Sequence, residues 1–581
     1  MNFRYHLGVA GLLFITLTVV TGSIPFSFTH AQPNAPQDNR PNILLIIGDD
    51  FGFSDIGSFG SEVSTPNLDT LAKEGKILTN YHTNPACSPA RLALLTGVDN
   101  HIGGIGSMSE KLVSNQVGKP GYEGYINDRV VTIQELLKDS GYHTLMAGKW
   151  HLSGTKIVNG TTPYDRGFEN VYTLVSSGGQ HFNSDPYYAG GHPVFMHNDK
   201  IVQRDNITYS NDLYTNFTID QIKKFHGDGK PLFMYLAFQV AHSPFQAPQE
   251  FIKKYEEMYD VGYDKIREDR FEKQKQLGIW PADMKLPQRI PAGQSWENLS
   301  SDEKAYRSKV LAVHAAMIDN MDLNIGKVIT YLKNIGEYDN TIIIFASDNA
   351  GSEPVDMNIF AGQAATKEQT QEFLAGFNNS IPNVGNANSL VNYGAWGSIS
   401  AVSPLSYFKL SQGEGGIRSP FIIKLPNSET KSSPEIVNAY VNVRDITPTL
   451  LEYTGVQYPS TFNGREVHSP MGKSLKPLLE GTVDEVYSDD DAVSQELFNS
   501  SSVFMGDWKA MKNIPPVSDG KWHLFNITSD AGENTDLSAQ HPEVLQKMTQ
   551  AYDKYANDVG VVVPSESLIP SGTANAALAV D

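Results

Sequence analysis

Several continuous apolar runs of strand length punctuate the chain. Asn42 to Ile47 (NILLII), Leu232 to Val240 (LFMYLAFQV) and Thr341 to Ala346 (TIIIFA) have no polar face, which is the pattern of central parallel strands covered on both sides. Tyr142 to Ala147 reads as a further strand. Between the runs, apolar residues recur at helical spacing. Thr65 to Ala72 predicts an N-capped helix with Pro66 at its first position, and Thr132 to Ser140 an amphipathic helix stopped by Gly141. Val310 to Leu332 predicts a long helix carrying Leu311, Ala315, Ile318, Met321, Ile325 and Val328 on one stripe. Strands alternating with helices imply an α/β fold with a mostly parallel central sheet flanked by helices.

From about residue 480 the pattern changes to short segments with turn signals. Val503 to Met511 around Gly506-Asp507, then Lys521 to Ile527, then a helix over Pro542 to Asn557 predict a smaller C-terminal α+β subdomain, an antiparallel sheet plus a helix. The expected division is a main domain over 41–475, this subdomain over 476–564 and a flexible tail over 565–581. Tyr255 to Trp296 reads as helical surface, and 352–406, rich in Asn, Gly, Ala and Ser, as a long loop over the sheet ends.

Composition adds limits. The 581 residues carry a formal charge of −20, which argues against non-specific attraction to nucleic acid or anionic membrane. Arg4 precedes an apolar run from Leu7 to Val20, with small residues near Thr29-His30-Ala31. That run is short for a membrane span and has the layout of a secretory signal, so residues 1–31 are read as a signal peptide, 32–40 as a linker and the protein as exported, periplasmic or secreted. An uncleaved anchor is the alternative.

The strand ends change the picture more. In parallel sheets, ligands bind beyond the carboxyl ends of the strands. Here those ends deliver Gly48-Asp49-Asp50, Gly148-Lys149-Trp150-His151, Ala241-His242-Ser243-Pro244 and Ser347-Asp348-Asn349-Ala350-Gly351. Asp49, Asp50, Asp348 and Asn349 offer only oxygen ligands, a set that suits Ca²⁺ or Mg²⁺ rather than Zn²⁺. Arg91, Lys149, His151, His242 and Lys409 are the candidates for holding an anionic group.

The only cysteine, Cys87, stands in Cys87-Ser88-Pro89-Ala90-Arg91 ahead of Leu92, Leu94 and Leu95. Without a partner thiol it is either a small buried apolar residue or a site of chemistry. Pro89 suits the first turn of a helix, so Cys87 is expected at a helix N-terminus, where the dipole and Arg91 favour a neighbouring anion.

C-x-P-x-R followed by a Leu-Thr-Gly helix resembles the signature of the type I, formylglycine-dependent sulfatases, closest to bacterial arylsulfatases. The resemblance extends in order over about residues 41–560, through Gly48-Asp49-Asp50-Phe51-Gly52, Thr65-Pro66-Asn67-Leu68-Asp69, Gly148-Lys149-Trp150-His151, Ser347-Asp348-Asn349, Glu414-Gly415-Gly416-Ile417-Arg418 and Trp522-His523-Leu524-Phe525. Ala350 departs from it, since Asp-Asn-Gly is common in that family. The resemblance implies an alkaline-phosphatase-like fold. It also implies one divalent cation, most often Ca²⁺, bound by Asp49, Asp50, Asp348, Asn349 and the modified Cys87. It further implies a maturation enzyme that oxidises Cys87 to formylglycine, whose hydrate is the nucleophile. By the same resemblance Asp348 is the base, Lys409 and His242 hold the sulfuryl oxygens and assist the leaving alcohol, His151 takes the proton that releases sulfate, and Arg91 and Lys149 position and compensate charge. The expected substrate is an aryl, alkyl or saccharide sulfate ester. Two rivals stand beside this: a phosphodiesterase or phosphonate monoester hydrolase built on the same modified cysteine and cation, and a non-catalytic sulfate-ester or glycan binder with Cys87 unconverted.

Overall fold

The computed structural model describes residues 38–204, 208–289, 294–352 and 366–568. The segments read as signal peptide and most of the linker lie outside them. Among the described residues, the main sheet takes its strands in chain order from Asn42–Gly48 (β1), Lys76–Leu78 (β2), His143–Lys149 (β3), Asn170–Leu174 (β4), Phe195–His197 (β5), Lys200–Val202 (β6), Leu232–Ala237 (β7), Thr341–Ser347 (β8), Phe421–Lys424 (β9) and Glu435–Val437 (β10). Their spatial order is β10-β2-β9-β8-β1-β7-β3-β4-β5-β6. The five central strands from β8 to β4 run parallel, and β9, β5 and β6 add antiparallel flanks. No helix among the described residues is long and apolar enough to cross a membrane.

β1 shows why its sequence lacks a polar face. Leu44 and Ile46 belong to one core cluster and Ile43, Leu45 and Ile47 to another, all fully buried. The strand alternates between two apolar layers, and burying each such side chain stabilises the fold by roughly 1.5–3 kcal/mol. Among the helices, those that bear on the site and its support are, in chain order, Pro66–Glu74 (α1), Cys87–Thr96 (α2), Ile133–Asp139 (α3), Tyr263–Leu277 (α4), Ser301–Asn334 (α5) and Gly394–Ala401 (α6), followed by Pro542–Val559 (α7) in the C-terminal unit. The α5 stripe Leu311, Ala315, Ile318, Met321, Ile325 and Val328 packs in the first layer, while Leu92 and Leu95 of α2 pack in the second.

Four local expectations are corrected. α1 is not capped by Thr65, whose Oγ1 instead accepts from the Gly57 N–H at 2.8 Å. The first-turn N–H groups of Asn67 and Leu68 donate to the Asp322 carboxylate of α5 at 3.1 and 2.8 Å, so a helix 255 residues downstream replaces the local cap. α5 itself starts nine residues earlier than the expected Val310, because Ser300 and Glu303 form a reciprocal capping box. α4 is more than surface helix: its Arg270 is buried and bonds to Asp55 and Glu62. Finally, the stretch 352–406 contains α6, whose Ala401 carbonyl lies against Gly52.

At the C-terminal end, strands Val493–Leu497 (β11), Ser500–Met505 (β12), Trp508–Lys512 (β13) and His523–Asn526 (β14) form an antiparallel sheet in sequence order, with α7 packed on it. This unit grips the main domain through polar groups. Gln412 accepts from Gln495 and Ser502, both at 3.0 Å, and donates to the Ser500 carbonyl. Lys509 bridges Glu414 at 2.8 Å and Glu533 at 2.6 Å, all three fully or nearly fully buried. His101 lies between Asp99 at 2.9 Å and Glu496 at 2.8 Å. Residues 565–568, expected to fray, instead pack back: Leu568 is buried with Met108 and Val113, and the Ser565 N–H donates to Asn115. Residues 569–581 lie outside the described part of the chain.

Candidate active site

The carboxyl ends of β1, β3 and β8 converge on the N-terminus of α2. Ala86 is the extended residue before the helix and Cys87 its first helical residue, fully buried. The Cys87 Sγ lies 3.3 Å from Asp49 Oδ1 and 3.8 Å from Asp50 Oδ1. Asp49, Asp50, Asp348 and Cys87 each present a ligand atom, and these atoms lie within 4.8 Å of one another. Asp50 adopts φ 67°, a left-handed conformation costly for a non-glycine residue, and is held there by surrounding bonds. Its N–H donates to Asp348 Oδ1 at 3.3 Å, and Asn349 Nδ2 donates to Asp50 Oδ1 at 2.7 Å.

Three buried cations answer the three carboxylates. Arg91, one turn into α2, gives Nε to Asp348 Oδ2 at 2.8 Å, Nη1 to the Lys149 carbonyl at 2.9 Å, and places Nη2 3.7 Å from Asp49. Lys149 donates to Asp49 Oδ2 at 2.6 Å. Lys409 reaches both oxygens of Asp50 at 2.8 and 2.9 Å. It is aimed there by a loop in which Tyr407 and Leu410 have positive φ and the Leu410 N–H is tied to the Pro85 carbonyl. Burial opposes these charges, and at Asp50, Arg91 and Lys149 pairing reverses it. Burial would raise the Asp50 carboxyl, but Lys409, His242 and Lys149 hold it well below its usual range. Burial would lower Arg91 and Lys149, but Asp348 and Asp49 keep both raised. Asp348 is raised by burial and by Asp49, against Arg91 and Lys149. Burial and Asp348 push the Cys87 thiol well up.

Because carboxylates and cations balance, adding a divalent ion would leave the cluster net positive, which suits an anionic substrate. The donor set fits such an ion. It is built of hard oxygens, and the buried Asn349 Oδ1 has no hydrogen-bond partner among the described residues. Asp49, Asp50, Asp348 and Asn349 are therefore the residues able to hold it.

The two histidines sit on the rim. His242 Nδ1 contacts the Ser243 carbonyl at 2.7 Å, which turns Nε2 toward Asp50 Oδ2 at 3.8 Å. Behind it, the His181 Nε2 lies 3.1 Å from the His242 carbonyl. Tyr187 meets the His242 ring edge-on with centroids 5.6 Å apart. His151, at φ 61°, bonds through Nε2 to Glu110 at 3.2 Å. All the residues singled out from sequence are thus brought to one place. Glu110, Tyr187 and His181 were not singled out, since each lies in an irregular polar stretch without periodicity.

Comparison with known proteins gives the family. The family described as Sulfatase matches residues 41–456. An uncharacterized sulfatase of Schizosaccharomyces pombe is 38% identical over 549 residues, covering 92% of this chain and 96% of its own. An arylsulfatase of Klebsiella aerogenes is 37% identical over 450 residues, covering 77% and 93%. Among solved structures, Ps i-CgsB aligns with a TM-score of 0.61 at 23% identity over 92% of this chain and 96% of that one. A structure described as in complex with D-glucosamine-2-N,6-O-disulfate aligns at 0.58 and 19% identity over 90% and 98%; both share the fold. With the family matched across most of its length, the chain belongs to the sulfatases and is a sulfatase enzyme.

Proposed function

We propose that the protein hydrolyses sulfate monoesters of the aryl type, through a nucleophile derived from Cys87, as an exported enzyme that carries one divalent cation, Ca²⁺ or Mg²⁺. The observation that supports this best is the convergence of Cys87 with Asp49, Asp50 and Asp348 within 4.8 Å, ringed by buried Arg91, Lys149 and Lys409. Cys87 is buried against the carboxylates of Asp49 and Asp50, a setting that does not favour a thiolate nucleophile, which supports reading Cys87 as a precursor oxidised to formylglycine by a maturation enzyme. Hydrated formylglycine supplies one hydroxyl for attack on sulfur and a second whose deprotonation expels sulfate by C–O cleavage, so no second attack at sulfur is needed. The cation, held by Asp49, Asp50, Asp348, Asn349 and residue 87, supplies Lewis-acid polarisation and positive charge.

The chain's own groups do the rest. Asp348, fixed by Arg91 and by the N–H groups of Asp50 and Asn349, takes the proton of the attacking hydroxyl. Lys409 and His242 both face the Asp50 carboxylate; they hold the sulfuryl oxygens, and His242 protonates the leaving alcohol. His151 takes the proton whose removal releases sulfate. Arg91 and Lys149 keep the carboxylates oriented and compensated. The arylsulfatase name of the Klebsiella relative favours aryl sulfates, and the Tyr187 ring beside His242 offers an apolar surface for such a leaving group.

The test is at one residue. Peptide mass spectrometry of the exported protein is expected to find residue 87 as the lighter aldehyde, with Cys87→Ala abolishing turnover of an aryl sulfate but not of a control fold probe such as thermal unfolding. An unmodified thiol in fully active protein, or faster turnover of the matched aryl phosphate, overturns the reading.

A further inference from the structure

Glu110 has no place in the reading above, yet it is built into the site with unusual care. It occupies the short 3-10 turn Ser109–Lys111, is half-buried, and both of its oxygens are engaged. Oε1 lies 3.2 Å from His151 Nε2, and Oε2 accepts from the Ser109 hydroxyl at 2.9 Å, which stops the carboxylate from rotating. His151 is fixed as firmly. Its backbone is held at φ 61° with its N–H on the Val175 carbonyl at 3.1 Å, and its ring is 7% exposed. The other ring nitrogen, Nδ1, is buried and has no hydrogen-bond partner among the described residues. A histidine with one nitrogen clamped by a carboxylate and the other left without a partner has its tautomer chosen for it.

We propose that Glu110 is a positioning residue for His151: by accepting the Nε2–H it fixes the neutral ring in the tautomer whose Nδ1 carries the lone pair, ready to take a proton from the group at position 87. The last clause rests on the sulfatase mechanism proposed above; the tautomer does not. The charged groups around His151 agree with a neutral ring. Burial lowers its pKa, Glu110 pulls the other way, and Lys149 and Arg91 on the site side lower it again. Burial alone would raise the Glu110 carboxyl, and the hydrogen bonds from His151 Nε2, its own N–H and the Ser109 hydroxyl oppose that, keeping an acceptor opposite Nε2. Tyr187 and Tyr188 feel the same carboxylate, which places Glu110 on the rim shared with His242.

The experiment uses full-length protein labelled with ¹⁵N-histidine, with Cys87 unconverted and no added metal, the His151 signal being assigned by its loss in His151→Gln. Wild type is expected to show Nε2–H with unprotonated Nδ1. Glu110→Gln, whose amide oxygen still accepts, is expected to keep that pattern, and Glu110→Ala to give a mixture. In the converted enzyme Glu110→Ala is expected to lower kcat on the order of 10- to 100-fold with KM within about twofold, and Glu110→Gln to recover most of it. An Nδ1–H tautomer in wild type, an unchanged tautomer in Glu110→Ala, or a changed tautomer with unchanged kcat overturns the proposal. If converted wild type turns over no sulfate ester, the mechanism fails instead, and the tautomer comparison still decides the positioning role.

Discussion

His101 offers a quantitative test of how the C-terminal unit is held. Its ring is fully buried between Asp99 of the main domain and Glu496 of β11, with Tyr555 of α7 donating to Asp99 at 2.9 Å and Arg444 3.5 Å away. Burial disfavours the imidazolium, but the bonds to Asp99 and Glu496 outweigh it and lift the pKa from 6.5 to about 9. A value raised in the folded state means that the stabilisation is fully present below about 6.5 and is lost as pH rises through about 9. At 1.36 kcal/mol per pH unit the gap corresponds to about 3 kcal/mol. His101→Gln removes the titration and keeps a polar side chain. Urea unfolding of wild type and variant at pH 6, 8 and 10, followed by tryptophan fluorescence, is expected to show the largest stability difference at pH 6, shrinking by about 3 kcal/mol by pH 10. Taking the difference between the two proteins cancels the titrating groups that do not touch His101. A difference that stays constant over this range would refute an imidazolium at the seam.

Three further outcomes follow from the site and its support. Lys409→Met removes the partner of both Asp50 oxygens and is expected to lower kcat/KM for an aryl sulfate on the order of 10²- to 10³-fold, measured by phenol release. Asn349→Leu removes a buried amide oxygen of the cluster that has no hydrogen-bond partner among the described residues, so calcium titration of chelator-treated protein should show affinity at least about tenfold weaker than wild type, while chelator-treated wild type loses activity and recovers it with Ca²⁺. Gly52→Ala would place a Cβ 2.2 Å from the Ala401 carbonyl; α6 must move, and a loss of about 1–3 kcal/mol in urea unfolding is expected.

What could be read from the sequence follows from where the information is stored. NILLII and TIIIFA announce central strands because both of their faces meet apolar layers, and the catalytic candidates follow directly because a parallel sheet presents strand ends. Long-range replacements of local rules were not legible. Thr65 looks like a cap, yet Asp322 does that work. Arg270 looks like a surface charge in a charged helix, yet it is buried because Asp55 and Glu62, over 200 residues earlier, receive it. Leu232 to Val240 reads as one strand, but regular pairing stops at Ala237 and the last three residues bend beside β1, with Asp49 N–H on the Val240 carbonyl. Glu110 escaped because a single carboxylate in a polar turn carries no pattern at all.

The burial of Cys87 also sets a clock. Once Asp49, Lys149, Asp348 and the Lys409 loop have closed around it, the sulfur is 1% exposed, and no other enzyme's active site could reach it. Any oxidation of residue 87 by a separate catalyst therefore has to happen on a chain that has not yet folded. The Lys409 loop is tied to Asn513 and Glu533, more than 400 residues after Cys87. At 5–20 residues per second, synthesis leaves roughly 20–90 s before those ties can form. The same C-terminal sheet that aims Lys409 thus holds the door open for as long as it is unmade.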